Sequence, residues 1–235
     1  MRKLLLGDEA IAQAAIDSGL SGVYAYPGTP STEITEFIQL REEKRGEAQD
    51  KIFCRWATNE KTAMEGALGM SYMGKRALVC MKHVGMNVAA DPFVNSAMTG
   101  VNGGLVVVAA DDPSMHSSQN EQDSRFYGKF AMMPIFEPSS QQEAYEMTRA
   151  AFDLSEAVKL PVLMRVTTRM AHSRAVVNVT EEPRKQNEIN RPEDVRTWIL
   201  LPAFAKKRYV KLLEQQDDLM KASLESKYNF YRKGS

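Results

Sequence analysis

The sequence has little cysteine and no long hydrophobic run. Its 235 residues include two cysteines, Cys54 and Cys80, which lie in separate apolar stretches without the spacing of metal ligands. We interpret them as buried free thiols in a reducing cytoplasm. The apolar run at residues 4–6 is too short for a signal peptide, and no stretch approaches the length of a membrane span. The sequence therefore predicts a cytoplasmic protein with no membrane segment.

Net charge is absent too, because 30 basic residues balance 30 acidic ones. A general nucleic-acid binder would show a basic excess. With 43% hydrophobic and 26% charged residues, the chain has an ordinary globular composition, long enough for one substantial core and an appendage. The three histidines have no second ligand at helix or hairpin spacing. We predict neither a nucleic-acid partner nor a metal site.

Glycine-rich phosphate-binding loops are missing from the sequence. It contains no Walker pattern, no Rossmann fingerprint and no nucleophile elbow. The pair Gly103-Gly104 precedes an apolar run instead of following one. If a phosphorylated cofactor binds here, some other structure must hold its phosphates.

What the sequence does contain is a regular alternation of strand and helix patterns. Apolar runs typical of strands occur at 23–26, 52–57, 77–81, 105–110 and 161–166. Helical patterns occur between them, at 7–18, 31–41, 61–73, 86–98 and 140–158. This order predicts an α/β fold with a mainly parallel sheet flanked by helices. The run at 105–110 lacks polar alternation, as expected of a strand buried on both faces.

The alternation stops near residue 180. We assign residues 1–180 to one domain and residues 181–235 to a charged connector and a C-terminal helix that lead to a missing domain. The helix is predicted over 203–228, and its apolar stripe is incomplete. Such a helix packs on a partner surface or on the missing domain.

Polar loops follow four of the predicted strands. They lie at 26–29, 58–60, 82–85 and 111–123. In a parallel sheet these loops meet at one edge, where α/β folds place their binding sites. The loop at 111–123 is unusually long for a compact domain, and it is either functional or a solvated surface loop.

Glu60 and His83 lie in two of these loops, and each allows two interpretations. Glu60 stands in the first turn of a helix, where an acidic side chain suits the helix dipole and Thr58 or Asn59 provides a cap. A helix-end charge is the common use of such a glutamate, and a site residue is the alternative. His83 follows a strand, so it is either a structural histidine or part of a site.

Three motifs together resemble a known family. They are Tyr26-Pro27-Gly28-Thr29-Pro30-Ser31, Thr58-Asn59-Glu60-Lys61 and Lys82-His83-Val84-Gly85-Met86-Asn87. The sequence resembles the thiamine-diphosphate-dependent 2-oxoacid:ferredoxin oxidoreductases, and within them the N-terminal, pyrimidine-binding domain of the indolepyruvate:ferredoxin oxidoreductase α subunits. The resemblance covers residues 1–180, and the loop from Asp111 to Arg125 strengthens the assignment to the indolepyruvate branch.

The resemblance implies roles for seven residues. Glu60 would be the catalytic residue that hydrogen-bonds the cofactor's pyrimidine ring and activates the cofactor. The cofactor-binding residues implied are Gly28, Glu60 and Asn87. The substrate-binding residues implied are Thr29, His83, His116 and Gln119. Pyruvate-using relatives carry an arginine for the substrate carboxylate where this chain has Asp111-Asp112-Pro113. Recognition of the carboxylate must therefore differ, with His116, Ser117, Gln119 or Arg125 as candidates.

The implied reaction is oxidative decarboxylation of an aryl 2-oxoacid, indolepyruvate, to an acyl-coenzyme A with ferredoxin as electron acceptor. The chain lacks the Gly-Asp-Gly motif for Mg²⁺-diphosphate and any cysteine-rich cluster motif. The resemblance therefore places the diphosphate-binding domain and the iron–sulfur clusters in other parts of the enzyme. It implies a second, β subunit and a homodimer, either of this domain or of the whole complex, and this chain alone would be inactive.

Two alternatives to this function stay open. The chain could be a noncatalytic module kept for assembly of such a complex. It could also be half of a non-redox thiamine enzyme.

Overall fold

The fold is built on a six-stranded parallel sheet. The computed structural model describes residues 1–46, 50–231 and 233–234. The strands are β1 (Arg2–Leu6), β2 (Gly22–Ala25), β3 (Phe53–Trp56), β4 (Ala77–Lys82), β5 (Leu105–Asp111), β6 (Ile135–Phe136), β7 (Val162–Thr167) and β8 (Arg174–Asn178). The order in the main sheet is β3-β2-β4-β5-β7-β6, while β1 and β8 form a separate antiparallel pair.

Helices cover both faces of this sheet. They are α1 (Gly7–Asp17), α2 (Thr32–Arg45), α3 (Glu60–Tyr72), α4 (His83–Thr99), α5 (Arg125–Ala131), α6 (Gln141–Val158), α7 (Thr168–His172) and α8 (Pro202–Leu224). Residues of α1, α2 and α6 belong to the apolar core on one face, and residues of α3, α4 and α8 belong to the core on the other. The predicted α/β fold with a mainly parallel sheet is confirmed.

Strand β5 is the clearest case of sequence dictating position. Every one of its residues is buried. Val106, Val108 and Ala110 belong to one core, whereas Leu105, Val107 and Ala109 belong to the other. Successive side chains of a strand point to opposite faces, so a strand between two helical layers needs apolar residues at every position.

Several short elements of the structure are not predicted by the sequence pattern. The predicted loop at 82–85 is the end of β4 followed directly by α4, which begins at His83. The pair of β1 and β8, the strand β6 and the helices α5 and α7 were also missing from the prediction. All of these elements have two to seven residues, too few for a periodic pattern to stand out.

The C-terminal helix forms as expected, at Pro202–Leu224. Leu212 is buried in the core beneath it, whereas Leu213 is 46% exposed and Leu224 is 80% exposed. Before it, Trp198 stacks on Tyr72 of α3, with 3.9 Å between ring centroids. The division of the chain near residue 180 stays a prediction. No helix among the described residues is long and apolar enough to cross a membrane.

Candidate functional site

The candidate site lies at the carboxyl edge of the main sheet. Strands β2, β3, β4 and β5 run parallel, so the segments that follow Ala25, Trp56, Lys82 and Asp111 all leave the sheet at this edge. The predicted convergence of four segments therefore holds in the structure. Two of them, the Gly28-Thr29 turn and the loop after β5, make direct contact there.

Glu60 begins helix α3 but does not cap it. Asn59 is the cap, because its Oδ1 accepts a hydrogen bond from the Thr62 amide at 2.9 Å. The Glu60 side chain is 8% exposed. Within the described residues its carboxylate has no hydrogen-bonding or ionic partner. A side chain that is mostly buried but leaves its carboxylate without a protein partner favours a site residue over a helix-end charge.

Gly85 in the first turn of α4 makes room for this carboxylate. A Cβ atom added at Gly85 would lie 2.6 Å from Glu60 Oε1 and 2.7 Å from its Cγ. Only glycine permits so close an approach. Met64 and Met86 belong to the buried core on the same face of the sheet. Glu60 therefore lies between two helices at the border of an apolar core.

The turn after β2 is held in shape by its own hydrogen bonds. The Gly28 amide donates to Thr32 Oγ1 at 3.0 Å, and Ser31 donates to the Gly28 carbonyl through both its amide and its hydroxyl. Gly28 lies against Lys82, since a Cβ atom there would lie 3.0 Å from Lys82 Cδ. Thr29 is exposed. The turn therefore presents Thr29 to any ligand at this edge.

His83 lies in the interior, away from the rim. It is fully buried, and its Nε2 is 3.0 Å from the carbonyl oxygen of Asn120 in the loop after β5. Its Nδ1 is buried without a partner among the described atoms. His83 thus holds the loop in the form described here, and a direct contact with substrate would require the loop to move.

The remaining predicted residues lie at the surface. Asn87 accepts a hydrogen bond from the Tyr127 hydroxyl, while His116 and Gln119 are exposed on the loop after β5. Ser117 of the same loop reaches the Thr29 carbonyl, with 3.5 Å between the oxygens. The structure therefore joins the Thr29 turn to this loop, whereas no hydrogen bond among the described residues joins Thr29 to Glu60.

Two aspartates anchor the loop after β5. Asp111 is fully buried and accepts hydrogen bonds from the Ser124 amide at 3.1 Å and hydroxyl at 2.5 Å. It also forms an ion pair with Arg165, whose Nε lies 2.7 Å away. The sequence showed these acids only as a replacement for a substrate-binding arginine. Their structural use was missed because Ser124 lies at the far end of the loop and Arg165 on another strand.

Asp112 holds the near end of the loop through hydrogen bonds. It accepts hydrogen bonds from the Ser117 amide, the Ser118 hydroxyl and the Thr168 hydroxyl, each at 2.7 Å. Burial acts to raise the pKa of Asp112, but the hydrogen bonds from Ser117, Thr168 and Ser118 outweigh it. The net effect holds the pKa of this carboxyl well below its usual range.

This shift predicts a specific acid sensitivity. A carboxyl whose pKa is lowered in the folded state stabilises the fold above its unfolded pKa, which is about 3.9 for aspartate. That stability is lost as the pH falls through the lowered folded pKa. We expect the free energy of unfolding, measured with urea from pH 5 to pH 3, to fall more steeply in the unaltered chain than in Asp112→Asn. Equal slopes would show that the loop hydrogen bonds do not favour the ionised form.

Lys82 also lies at this edge, and no role for its side chain was predicted from the sequence. It ends β4 at the carboxyl edge, and its Nζ donates to the Ser117 carbonyl at 3.2 Å. Among the described residues it has no carboxylate partner. Arg125 and Arg165, by contrast, both pair with acids, Arg125 with Asp123 and both with Glu137. Of these three cations, only Lys82 is left for an anionic ligand.

Comparison with known proteins places this arrangement in a family. Residues 13–213 match the family described as pyruvate flavodoxin/ferredoxin oxidoreductase, thiamine diP-bdg. The chain belongs to this family, as its motifs indicated.

Curated relatives make the likeness more specific. The chain is 45% identical to the indolepyruvate oxidoreductase subunit IorA of Archaeoglobus fulgidus over 232 residues, which are 98% of this chain and 37% of that protein. It is 46% identical to the subunit of the same name from Thermococcus kodakarensis over 219 residues, 91% of this chain and 33% of that protein. The chain thus spans about a third of the length of these relatives.

More distant proteins also resemble the chain. The 2-oxoglutarate synthase subunit KorA of Methanothermobacter thermautotrophicus is 27% identical over 184 residues, 74% of this chain and 47% of that protein. A solved 2-oxoglutarate:ferredoxin oxidoreductase from Magnetococcus marinus superposes with a TM-score of 0.71 at 17% identity, covering 99% of this chain and 46% of that one. The latter likeness supports the fold alone.

Proposed function

We propose that this chain is the part of a thiamine-diphosphate-dependent indolepyruvate:ferredoxin oxidoreductase that holds and activates the pyrimidine ring of the cofactor. The observation that carries the proposal is the largely buried Glu60 side chain, whose carboxylate has no partner in the described structure. The similarity to IorA subunits supports the choice of an aryl 2-oxoacid as substrate.

The residues present fit such a cofactor. Glu60 offers one carboxyl group at the border of an apolar core, and Gly85 leaves space against it. A carboxyl group in this position can form a hydrogen bond with a ring nitrogen. When bound, thiamine diphosphate supplies the carbanion chemistry that breaks the bond between the carboxylate and carbonyl carbons of a 2-oxoacid. Gly28 and Asn87 are the other proposed contacts with the ring.

Lys82 is our candidate for the substrate carboxylate, with Thr29 as donor to the 2-oxo group. The ammonium group is at the same edge as Thr29 and contacts the loop that carries His116 and Gln119. A lysine binds a carboxylate as a compact charge with three donors. This arrangement would substitute for the arginine that pyruvate-using relatives carry.

Replacing Lys82 by methionine keeps the aliphatic stem and removes the charge. A hydrogen bond to a charged group contributes about 1.5–3 kcal/mol, so we expect kcat/KM for the 2-oxoacid to fall about 10–100-fold, mostly through KM. Lys129→Met, on the exposed side of α5, is the matched control. Steady-state kinetics of the assembled enzyme would measure KM and kcat for both variants. Equal KM values in the two variants would show that Lys82 does not bind the substrate.

The rest of the proposed enzyme must lie outside this chain. It would comprise a domain that binds the diphosphate through Mg²⁺, iron–sulfur clusters, a β subunit and a homodimeric arrangement. Ferredoxin would accept the electrons and coenzyme A the acyl group. We also propose a cytoplasmic location, where the free thiols of Cys54 and Cys80 stay reduced.

The test uses the full-length protein that contains this chain, purified with its partner subunit. We expect ferredoxin reduction that depends on coenzyme A and proceeds faster with indolepyruvate than with pyruvate or 2-oxoglutarate. Turnover without ferredoxin would instead indicate a non-redox thiamine enzyme. A complex that assembles but shows no heat of binding for thiamine diphosphate and Mg²⁺ in calorimetry would identify an assembly module.

A further inference from the structure

A second cluster of ionisable side chains lies apart from Glu60, where three helices meet. Asp8 stands in the first turn of α1, Glu33 in the first turn of α2, and His172 at the end of α7. One ligand atom from each residue can be chosen so that all lie within 4.8 Å of one another. Glu33 Oε1 and His172 Nε2 are 3.4 Å apart.

Asp8 has no polar partner within the described part of the fold. Its side chain is fully buried, and neither carboxylate oxygen has a hydrogen-bond partner among the described residues. The Oε2 atom of Glu33 is also buried without a partner. A lone buried carboxylate is strongly unfavourable, and a second one beside it adds repulsion. A cation placed between the two acids would offset both of these costs.

The packing around the cluster fixes its members. A Cβ atom at Gly7 would lie 2.5 Å from Met170 Sδ, so the start of α1 presses directly on α7. Glu33 and His172 are about one third exposed. The cluster is therefore accessible to solvent on the side of these two residues and buried on the side of Asp8. An ion could thus enter without unfolding, and the two outer side chains could rotate onto it.

We propose that Asp8, Glu33 and His172 bind a divalent cation, with Zn²⁺ as the metal. Two carboxylate oxygens and one imidazole nitrogen form a ligand set that zinc accepts at about 2.0–2.2 Å, with water in the fourth position. An imidazole ligand disfavours Mg²⁺ and Ca²⁺, which prefer oxygen. The ion neutralises the buried acids and ties three helices together. This proposal does not depend on the proposed function.

The site would brace the turn that carries Thr29. Glu33 belongs to the first turn of α2, and the Gly28 amide donates to Thr32 in that same turn. A cation on Glu33 would therefore fix the turn to α1 and α7. We assign the metal a structural role, because Glu60 begins α3, whose residues Ala63 and Met64 belong to the core on the opposite face of the sheet from α1 and α2.

The experiment measures zinc binding to the full chain after chelator treatment and dialysis. We expect ZnCl₂ at 100 times its Kd to raise Tm by about 5–10 °C, and calorimetry to show one site. Asp8→Asn and His172→Gln each remove a proposed metal ligand. Loss of an outer-shell partner alone weakens metal binding roughly 10–100-fold, so each variant should weaken zinc binding by at least that factor. Asp8→Asn keeps the side-chain size and should itself raise Tm in the absence of metal, since it removes the unpaired charge.

Matched controls separate this site from adventitious binding. His116→Gln removes an exposed histidine, and Glu36→Gln removes an exposed acid one turn along α2. Both should retain the zinc-induced shift. The proposal is overturned if zinc causes no shift, if His172→Gln retains it, or if His116→Gln loses it. A shift with Mg²⁺ but not with Zn²⁺ would overturn the choice of metal. His172 lies at the surface, so its variant tests the proposal even if Asp8→Asn fails to fold.

Discussion

Glu60→Gln in the assembled enzyme should abolish activation of the cofactor and leave the fold intact. Glutamine matches glutamate in size but cannot give or share a proton with the pyrimidine ring. Loss of a positioned acid–base group typically lowers the rate about 10²–10⁴-fold. The direct measurement is deuterium exchange at C2 of bound thiamine diphosphate, followed by NMR after acid quench. Because the carboxylate has no partner in the described structure, the change breaks no structural hydrogen bond.

Two further variants make the Glu60 result specific. Glu65→Gln alters an exposed acid on the same helix and should exchange at the unaltered rate. Gly85→Ala places a methyl group within 2.6 Å of Glu60 Oε1, so it should displace the carboxylate and reduce exchange as well. Unchanged exchange in Glu60→Gln would remove Glu60 from its proposed role. Loss of exchange in Glu65→Gln would point to a general defect of the helix.

Asp111→Ala should be the most destabilising change at the site. The fully buried carboxylate pairs with Arg165 and accepts two hydrogen bonds from Ser124. Removing one partner of a buried ion pair costs about 3–5 kcal/mol, because the other charge is left uncompensated. Urea unfolding followed by circular dichroism would give the change in the free energy of unfolding. The start of α5, which Ser124 precedes, should also become susceptible to proteolysis.

Asp123→Ala is the matched control for Asp111. Asp123 pairs with Arg125 in the same loop, but at the surface. Exposed ion pairs contribute little, so this variant should unfold almost as the unaltered chain does. Similar losses in both variants would mean that the loop is held by its surface charges.

Much of the fold could be predicted because its longest elements are also its most regular ones. The uninterrupted apolar run of β5 reflects two helical layers, and the small residues at the start of α3 follow a capping asparagine. The convergence of loops at the carboxyl edge follows from parallel strands alone. The family resemblance then singled out Glu60, and its burial without a partner is what an open site requires.

The contacts that the sequence could not show join residues far apart along the chain. His83 follows a strand and lies two residues before Gly85, which suggests a rim residue, yet its partner is the carbonyl of Asn120. Asp8, Glu33 and His172 carry no common spacing, because each comes from a different helix. Sequence spacing reveals a cluster only when its ligands share one helix or hairpin.

The antiparallel pair of β1 and β8 has a consequence for the order of folding. It joins backbone groups up to 178 positions apart, through the hydrogen bond from the Met1 amino group to the Val179 carbonyl. Contacts of such long range form only after the intervening chain has become compact, since closing a long loop costs entropy. During synthesis β1 therefore stays unpaired until β8, and with it almost the whole α/β unit, has left the ribosome. The pairing completes the domain and cannot nucleate it.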